Sequence, residues 1–584
     1  MYIKRHSVRR GERRYVYLRL VESYRDDRGK VRHRVLRTLG REDDLKASGQ
    51  LEQLAASFAR LDPPLAGVRR EVGPLLLVCH FARALELRET IDRSLPEHRR
   101  SQLGVGELVA ALVANRLCSP SPLYDIAGWA SGVALQELFG TPAALLGDDR
   151  LGRALEAFAV YAEQLRGSLA ARAIERFGVD GARLHVDLTA VRVAGAYEGS
   201  ALVKKGWGAE GGVKRQVRAL QASSADGVSL YLRPDPGSAS ELALVGASLE
   251  RLRALAGPAP ALLICDSAMG QPKTLCEIAR AGLHFIVPLR ADSGFRERYL
   301  DEVGPKALRA LDYVSERERD LPKELRARYR GALREWVITD PDSGEPVKLR
   351  VAYVHSSTEQ REVAEARERA LVKAEEALGR VKRGLGGRYY KTRAQVDKRV
   401  TRVVGPKLEG LLRVKTATRK GRPTIVWERD QKAIDDAARA DGVYALATKL
   451  EGRLSATKAL RLYKDQQIVE RRHRDLKQTL RVRPIFLHND DRIHALVSIV
   501  GIALLVFGLI ETELRKALGD AEQLPCLLPE GRAAKPTGRN VLAAFQGLGL
   551  TYTPQGIVLD RLTHTQRRIL ELLEVDIPWP EQDR

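Results

Sequence analysis

One ordering of apolar runs, between residues 183 and 290, limits what this chain can fold into. "RLHVDLTAVRVAG" (183–195), "VKRQVRALQAS" (213–223) and "VSLYLRPDPG" (228–237) read as strands, and the "ADG" at 225–227 turns the second into the third. Helical patterns at 240–255 and 271–282 then alternate with the strands "PALLICDSA" (260–268) and "HFIVPLR" (284–290). The order β-β-β-α-β-α-β, a hairpin followed by crossover units, predicts an α/β fold: a mixed sheet flanked by helices. "DGVYALATKL" (441–450) reads as a strand returning to that sheet.

The flanking segments have other periods. The N-terminal "RRYVYLRLVESYRDDRGKVRHRVLRTLG" alternates and turns at "DDRGK", which predicts a basic β-hairpin. Residues 45–62 and 75–175 are Leu/Ala-rich and helical, and "LVAALVANRLCSPSPLYDIAGWASGVALQELFG" reads as helix, Ser/Pro turn, helix. Such a pair can dock on DNA, but helical pairs serve many ends. Residues 291–440 hold a long charged helix near 358–384, the basic stretch "GGRYYKTRAQVDKRVTRVV" and short strands such as "PTIVWER", and read as an inserted domain. "ALVSIVGIALLVFGLI" (495–510) is sixteen residues long, with charges at both ends. A spanning helix needs roughly 20, so a buried core helix is expected here and no membrane partner.

Charge narrows the function. The 584 residues carry 98 Lys and Arg against 75 Asp and Glu, a net +23. The excess is also local, 14 to 7 over residues 1–45 and 9 to 1 over 380–402. Fields of this kind attract polyanions, of which nucleic acid is the commonest large one; the alternative is a protein that is merely Arg-rich. The five cysteines are scattered without a CxxC pair, and no secretory signal opens the chain. That pattern argues for a reducing cytoplasm and against a zinc site or a disulfide framework. There is no GxxxxGK[ST] phosphate loop, HExxH or GxSxG.

Three acids stand out by position. Asp187 lies inside the first apolar strand and Asp266 at the carboxyl end of another, where α/β sheets build sites. A carboxylate there is costly unless paired, protonated or bound to a cation, and an Arg or a backbone amide could satisfy either one. The third, Glu470, belongs to "YKDQQIVERRHRDLK". This stretch reads as a helix with a polar edge (Tyr463, Gln466, Glu470, His473, Lys477) beside an apolar stripe (Leu462, Val469, Leu476). Asp465 and Asp475 are its rivals, but Asp475 points roughly opposite to that edge. Carboxylates from two strands and a helix could converge as oxygen ligands for Mg²⁺. Two such ions can activate a water or a 3′-hydroxyl and stabilise the leaving oxygen of a phosphodiester. Arg471, Arg472, Arg474, Lys477, Arg481 and Arg483 would suit a DNA backbone, or form a solvated face.

This stretch resembles the Tyr-x2-Arg-x3-Glu-x6-Lys signature of DDE transposases in the insertion-sequence-4-like superfamily of bacterial mobile elements. Tyr463, Glu470 and Lys477 fall on its Tyr, Glu and Lys, and Gln466 departs from it at the Arg. "HVDLTAV" and "ICDSAMG" resemble the two Asp motifs of those enzymes. "DGVYALATKL" resembles the approach to the third motif, and "HNDDRIHALVSIVGIALLVF" the segment that comes after it. The N-terminal 40 residues and "ANRLCSPSPLYDIAGWA" resemble the group typified by insertion sequence 1634.

The resemblance implies a ribonuclease-H-like mixed sheet flanked by helices, an inserted α+β domain and a mainly helical N-terminal region. The corresponding divisions are a basic hairpin (1–45), a helical region that binds DNA ends (46–178) and the first part of the catalytic core (179–290). An insertion (291–440), the second part of the core with the Glu helix (441–520) and a C-terminal extension (521–584) complete the chain. It also implies that Asp187, Asp266 and Glu470 hold two Mg²⁺, with Mn²⁺ able to substitute. Tyr463, Lys477, Arg471 and Arg474 would contact DNA near the cleaved phosphate. The implied reaction is cleavage at the element ends, then attack of the 3′-hydroxyl on target DNA. Its setting would be a dimer or larger assembly on double-stranded DNA in the cytoplasm, at the nucleoid. A catalytically silent DNA-binding descendant and a nuclease without strand transfer are the alternatives.

Overall fold

The computed structural model describes the chain except residues 1, 11–12, 26–30, 49, 52–66, 97–101, 208–210, 258–259, 316–317, 465–470, 473, 481–484, 486 and 583–584. Two compact units result. The first comprises Met1–Val72, Gly547–Leu562 and Ile577–Arg584. In it β1 (Tyr2–Arg10), β2 (Arg13–Arg25) and β3 (Val31–Arg41) form an antiparallel sheet in the order β1-β2-β3. The expected hairpin is β2–β3, whose "DDRGK" turn lies outside the described residues; the alternating residues before it add β1. A short strand, β4 (Arg69–Glu71), pairs with Gly549–Thr553, which in turn pairs with Gly556–Leu559.

The second unit comprises Gly73–Gln546 and Thr563–Asp576. Its Leu/Ala-rich start forms helices including α1 (Val105–Cys118) and α2 (Asp148–Phe177). The period then switches to that of strands: β5 (Arg183–Arg192), β6 (Lys204–Trp207), β7 (Val213–Ser224) and β8 (Ser229–Pro236), then β9 (Leu262–Cys265) and β10 (His284–Pro288). The segment 309–356 adds β11 (Arg309–Ala310), β12 (Tyr329–Thr339) and β13 (Pro346–Ser356). The order across the sheet is β11-β12-β13-β16-β10-β9-β5-β7-β6, with β8 on β7 and β16 spanning Val443–Lys449. Only β5–β9 and β9–β10 are parallel. The latter two strands, "LLIC" and "HFIVP", are continuously apolar because both faces are covered.

The 291–440 segment is therefore divided. Its first part widens the sheet, because the β12–β13 hairpin pairs through β13 with β16. Its second part builds a core of its own. There α3 (Ser357–Arg383), capped by the Ser356 hydroxyl, and α4 (Arg393–Leu408), opened by a Thr392/Gln395 capping box, pack with β14 (Leu412–Arg419) and β15 (Arg422–Arg429). Leu371, Leu378, Val396, Leu412 and Ile425 fill the space between them.

After β16 come α5 (Ala456–Lys464) and, beyond the "ERRHRDLK" region, α6 (Asp490–Leu518). The apolar window of α6 is 94% buried, so its hydrophobicity is spent inside the protein, as a core helix. Gly501 and Gly508, two turns apart, let it lie close on the sheet. A Cβ at Gly501 would come 3.2 Å from the Leu232 side chain, and one at Gly508 3.0 Å from Val228 Cα.

Candidate catalytic site

Because β5 and β9 are parallel neighbours in the register Val186 to Cys265, Asp187 and Asp266 are the next position along each strand. Asp187 continues β5, where its Oδ1 accepts from the Leu188 amide at 2.7 Å. Asp266 ends β9 in extended conformation and caps the short turn Ser267–Met269, its Oδ1 accepting from the Ala268 amide at 3.1 Å. Burial, with the Asp187 charge second, pushes the Asp266 carboxyl up to about 6. Burial first, and then both aspartates, push the Cys265 thiol up. Two carboxylates at adjacent positions on neighbouring parallel strands form a donor set of hard oxygens that a divalent cation would satisfy. Glu241, whose charge also reaches Asp266, is engaged by Arg218 at 3.2 Å.

A buried polar stripe surrounds Asp187. His185, Asp187 and Thr189 alternate onto one face of β5, and Ser223 and Gln221 lie opposite the first two on β7. His185, Gln221 and Ser223 are fully buried. Both His185 ring nitrogens, Gln221 Oε1 and Thr189 Oγ1 have no hydrogen-bond partner among the described residues. Burial drops the His185 imidazole to about 4, so it is neutral at physiological pH. Orphaned groups of this kind are rare in a core, and they line the face that holds Asp187. Sequence reasoning passed over them. The signal was the run of His, Asp and Thr at every second place of "HVDLT", where an ordinary half-buried strand is apolar.

The third motif is described only in part. Glu470, Asp465, Gln466, His473, Arg481 and Arg483 lie outside the described residues, as does the Lys477 side chain. Lys477 itself falls in the π-helical turn Asp475–Thr479. Tyr463 ends α5, half-buried, with its ring 6.4 Å from that of Tyr444. Arg474 is exposed. Arg471 reaches Glu511 at 3.5 Å.

Arg472, expected from the sequence among the DNA-facing cations, is 1% exposed and among the largest fully buried side chains. It donates to the Gly227 carbonyl, to Asp475 at 3.2 Å and to Glu511 at 3.0 Å, so it is consumed inside the fold. Glu511 comes from α6 and also accepts from Arg515 at 2.7 Å and from the Gly538 amide at 2.9 Å. Burial would raise its carboxyl, but Arg472 and Arg515 outweigh burial and hold it below its ordinary value. Asp475, the rival acid, is buried against Arg472 and is not available as a ligand. A cleft of about 430 Å³, lined by Arg471, Arg515 and Lys516 among others, opens over this cluster at the β7–β8 turn. It lies at the edge where β5 begins, away from the carboxyl end of β9.

Among the described residues no three His, Cys, Asp or Glu side chains converge. The donors present are the two aspartates, and the third acid of the motif falls at residue 470. The fold and the site are those of a strongly basic α/β protein with adjacent acids on neighbouring parallel strands of a mixed sheet. Residues 181–506 match the transposase DDE domain, residues 3–65 match the IS1634 family transposase N-terminal domain, and residues 69–169 match a domain of unknown function, DUF4277. The chain belongs to the DDE transposases and is IS1634-like. Comparison with curated proteins found no match.

Proposed function

We propose that this transposase cuts DNA at the ends of its element and joins the freed 3′-hydroxyls to target DNA, with Asp187, Asp266 and Glu470 holding two Mg²⁺. The observation that carries the reading is the adjacency of Asp187 and Asp266 on parallel strands, with the Asp266 proton held abnormally tightly. We also read β8-β7-β5-β9-β10, three antiparallel strands continued by two parallel ones, as a ribonuclease-H-like core.

Bound at these oxygens, the two ions would supply Lewis acidity to the attacking and leaving oxygens of the phosphodiester. The chain does the rest. Asp187 and Asp266 present their oxygens from neighbouring strands, and a bound cation would compensate the charge that burial disfavours at Asp266. The buried Arg472 fixes its own position, two residues beyond Glu470 in the sequence, through the Gly227 carbonyl, Asp475 and Glu511. Arg474 is exposed on the same turn of chain, and with Lys477 and Tyr463 it would meet the DNA near the cleaved phosphate. Water attacks phosphorus and displaces the 3′-oxygen; that 3′-hydroxyl then attacks a target phosphodiester and displaces its 3′-oxygen in turn. Paired ends call for a dimer or larger assembly on DNA.

The test uses a labelled duplex carrying the DNA that flanks the gene, with Mg²⁺ or Mn²⁺, and compares the wild-type chain with Glu470→Gln and Asp187→Asn. Cleavage and joining lost in both variants, with duplex binding retained, is the expected result. Binding without cutting by any of the three points to a silent descendant, and cutting without joining to a nuclease. Equal cutting by all three refutes the assignment of the acids.

A further inference from the structure

The insertion carries a charge imbalance that the carboxylate chemistry does not use. Residues 388–422 hold 12 Lys and Arg against 2 acids, whereas the adjoining 357–387 hold 7 against 6. The imbalance is mounted on a built scaffold, the core that α3, α4, β14 and β15 share. Arg429 ties the hairpin to α3 through Glu375 at 2.8 Å and Glu368 at 3.0 Å. The cations therefore decorate a rigid surface, not a loose tail.

Their arrangement is self-repelling. Lys398 and Arg402 stand one turn apart on α4, both exposed. Arg419 and Arg422 are direct cross-strand partners at the tip of β14–β15, with Lys420 between them at a φ of 48°. Like charges at either spacing disfavour the element that carries them. Of the two acids, Asp397 is drawn to Thr416 and to Arg393 and Glu409 is exposed, while Arg413 takes Asp430 from outside the stretch. Among the described residues Lys398, Arg402, Arg419, Lys420 and Arg422 make no ion pair. Repulsion left uncompensated on a rigid exposed face is relieved by a polyanion. Gln395, the amide side chain on α4, is spent on its capping box, so what faces outward is long cations suited to phosphates.

We propose that the exposed faces of α4 and the β14–β15 tip form a second DNA-binding surface, separate from the carboxylate site, that grips the backbone of duplex DNA irrespective of sequence. The inference rests on the transposase reading only for DNA as the polyanion.

The test measures binding of the full-length chain to a labelled duplex of arbitrary sequence across a salt series. Three variants are compared: Arg419→Gln/Lys420→Gln/Arg422→Gln at the tip, Lys398→Gln/Arg402→Gln on α4, and Arg361→Gln/Lys373→Gln on the charge-balanced α3 as control. The slope of log affinity against log salt should fall by about 0.9 for each cation that touches a phosphate, and affinity at low salt by on the order of ten-fold for the tip. The control should change neither. Element-end and arbitrary duplexes should weaken alike. Loss no greater than that of the control overturns the proposal, as does loss confined to element ends or to single strands. A chain that never cuts DNA but loses salt-dependent binding in the tip and α4 variants would sink the proposed function and leave this surface standing.

Discussion

Removing the Glu511 carboxylate tests how the third motif is held. In Glu511→Ala, Arg472, 1% exposed in the intact protein, keeps its Gly227 carbonyl and Asp475 but loses the partner at 3.0 Å. Stranding one member of a buried ion pair costs about 3–5 kcal/mol. Because Asp475 still compensates part of the charge, the expected loss lies at the low end, about 3 kcal/mol. Denaturant unfolding of the wild-type chain, Glu511→Ala, Arg472→Ala and the double variant gives the cycle, with an expected coupling of about 1–3 kcal/mol for residues in direct contact. The pH dependence has a definite sign. The folded carboxyl lies below its ordinary value of 4.5, so the Glu511 contribution is complete above that pH and disappears as pH falls through the folded value. Glu470 is two residues away from Arg472, so cleavage should fall with the anchor even where the fold persists. A Glu511→Ala chain within about 0.5 kcal/mol of wild type, the range of an ordinary surface substitution, would refute the reasoning.

Asp266→Asn, in chelator, should stabilise the chain by up to about 3 kcal/mol above pH 6, since a carboxyl raised from 3.8 to about 6 costs most when ionised. That gain should fade as pH falls from 6 toward 3.8; a variant no more stable than wild type at pH 8 contradicts it. His185→Leu removes two unpaired buried nitrogens and should raise unfolding free energy by about 1 kcal/mol while slowing cleavage. A loss of stability would mean those nitrogens are satisfied in solution. Gly508→Ala puts a Cβ against Val228 Cα, which cannot yield, and should cost about 1–3 kcal/mol. Gly501→Ala meets only the Leu232 side chain and should cost less; equal melting points would show that α6 shifts freely. Chelation should abolish cutting and leave duplex binding intact, as separate cleavage and gel-shift assays would show.

Much of the sheet was legible because its strands report their own environment. "LLIC" and "HFIVP" are continuous apolar runs, and the turn at 225–227 is local chemistry. Asp187 and Asp266 were legible for the same reason, as acids where burial makes acids expensive. The division of 291–440 was not. β12 and β13 join the sheet only through β16, about a hundred residues downstream of β13, and no periodicity announces which distant strand a hairpin will choose. Arg472 shows the limit most sharply. In "ERRHRDLK" it is one cation among several, and its neighbour Arg474 is indeed exposed. Its buried partner is Glu511, 39 residues later, an acid inside a long apolar helix. That acid was the readable half of the pair. Arg515, one turn along α6, meets that carboxylate from one side, and Arg472 meets it from the third-motif segment. Through that pairing α6 supplies a buried acid on which Arg472, and with it the turn that carries Asp475, is held against the β7–β8 turn.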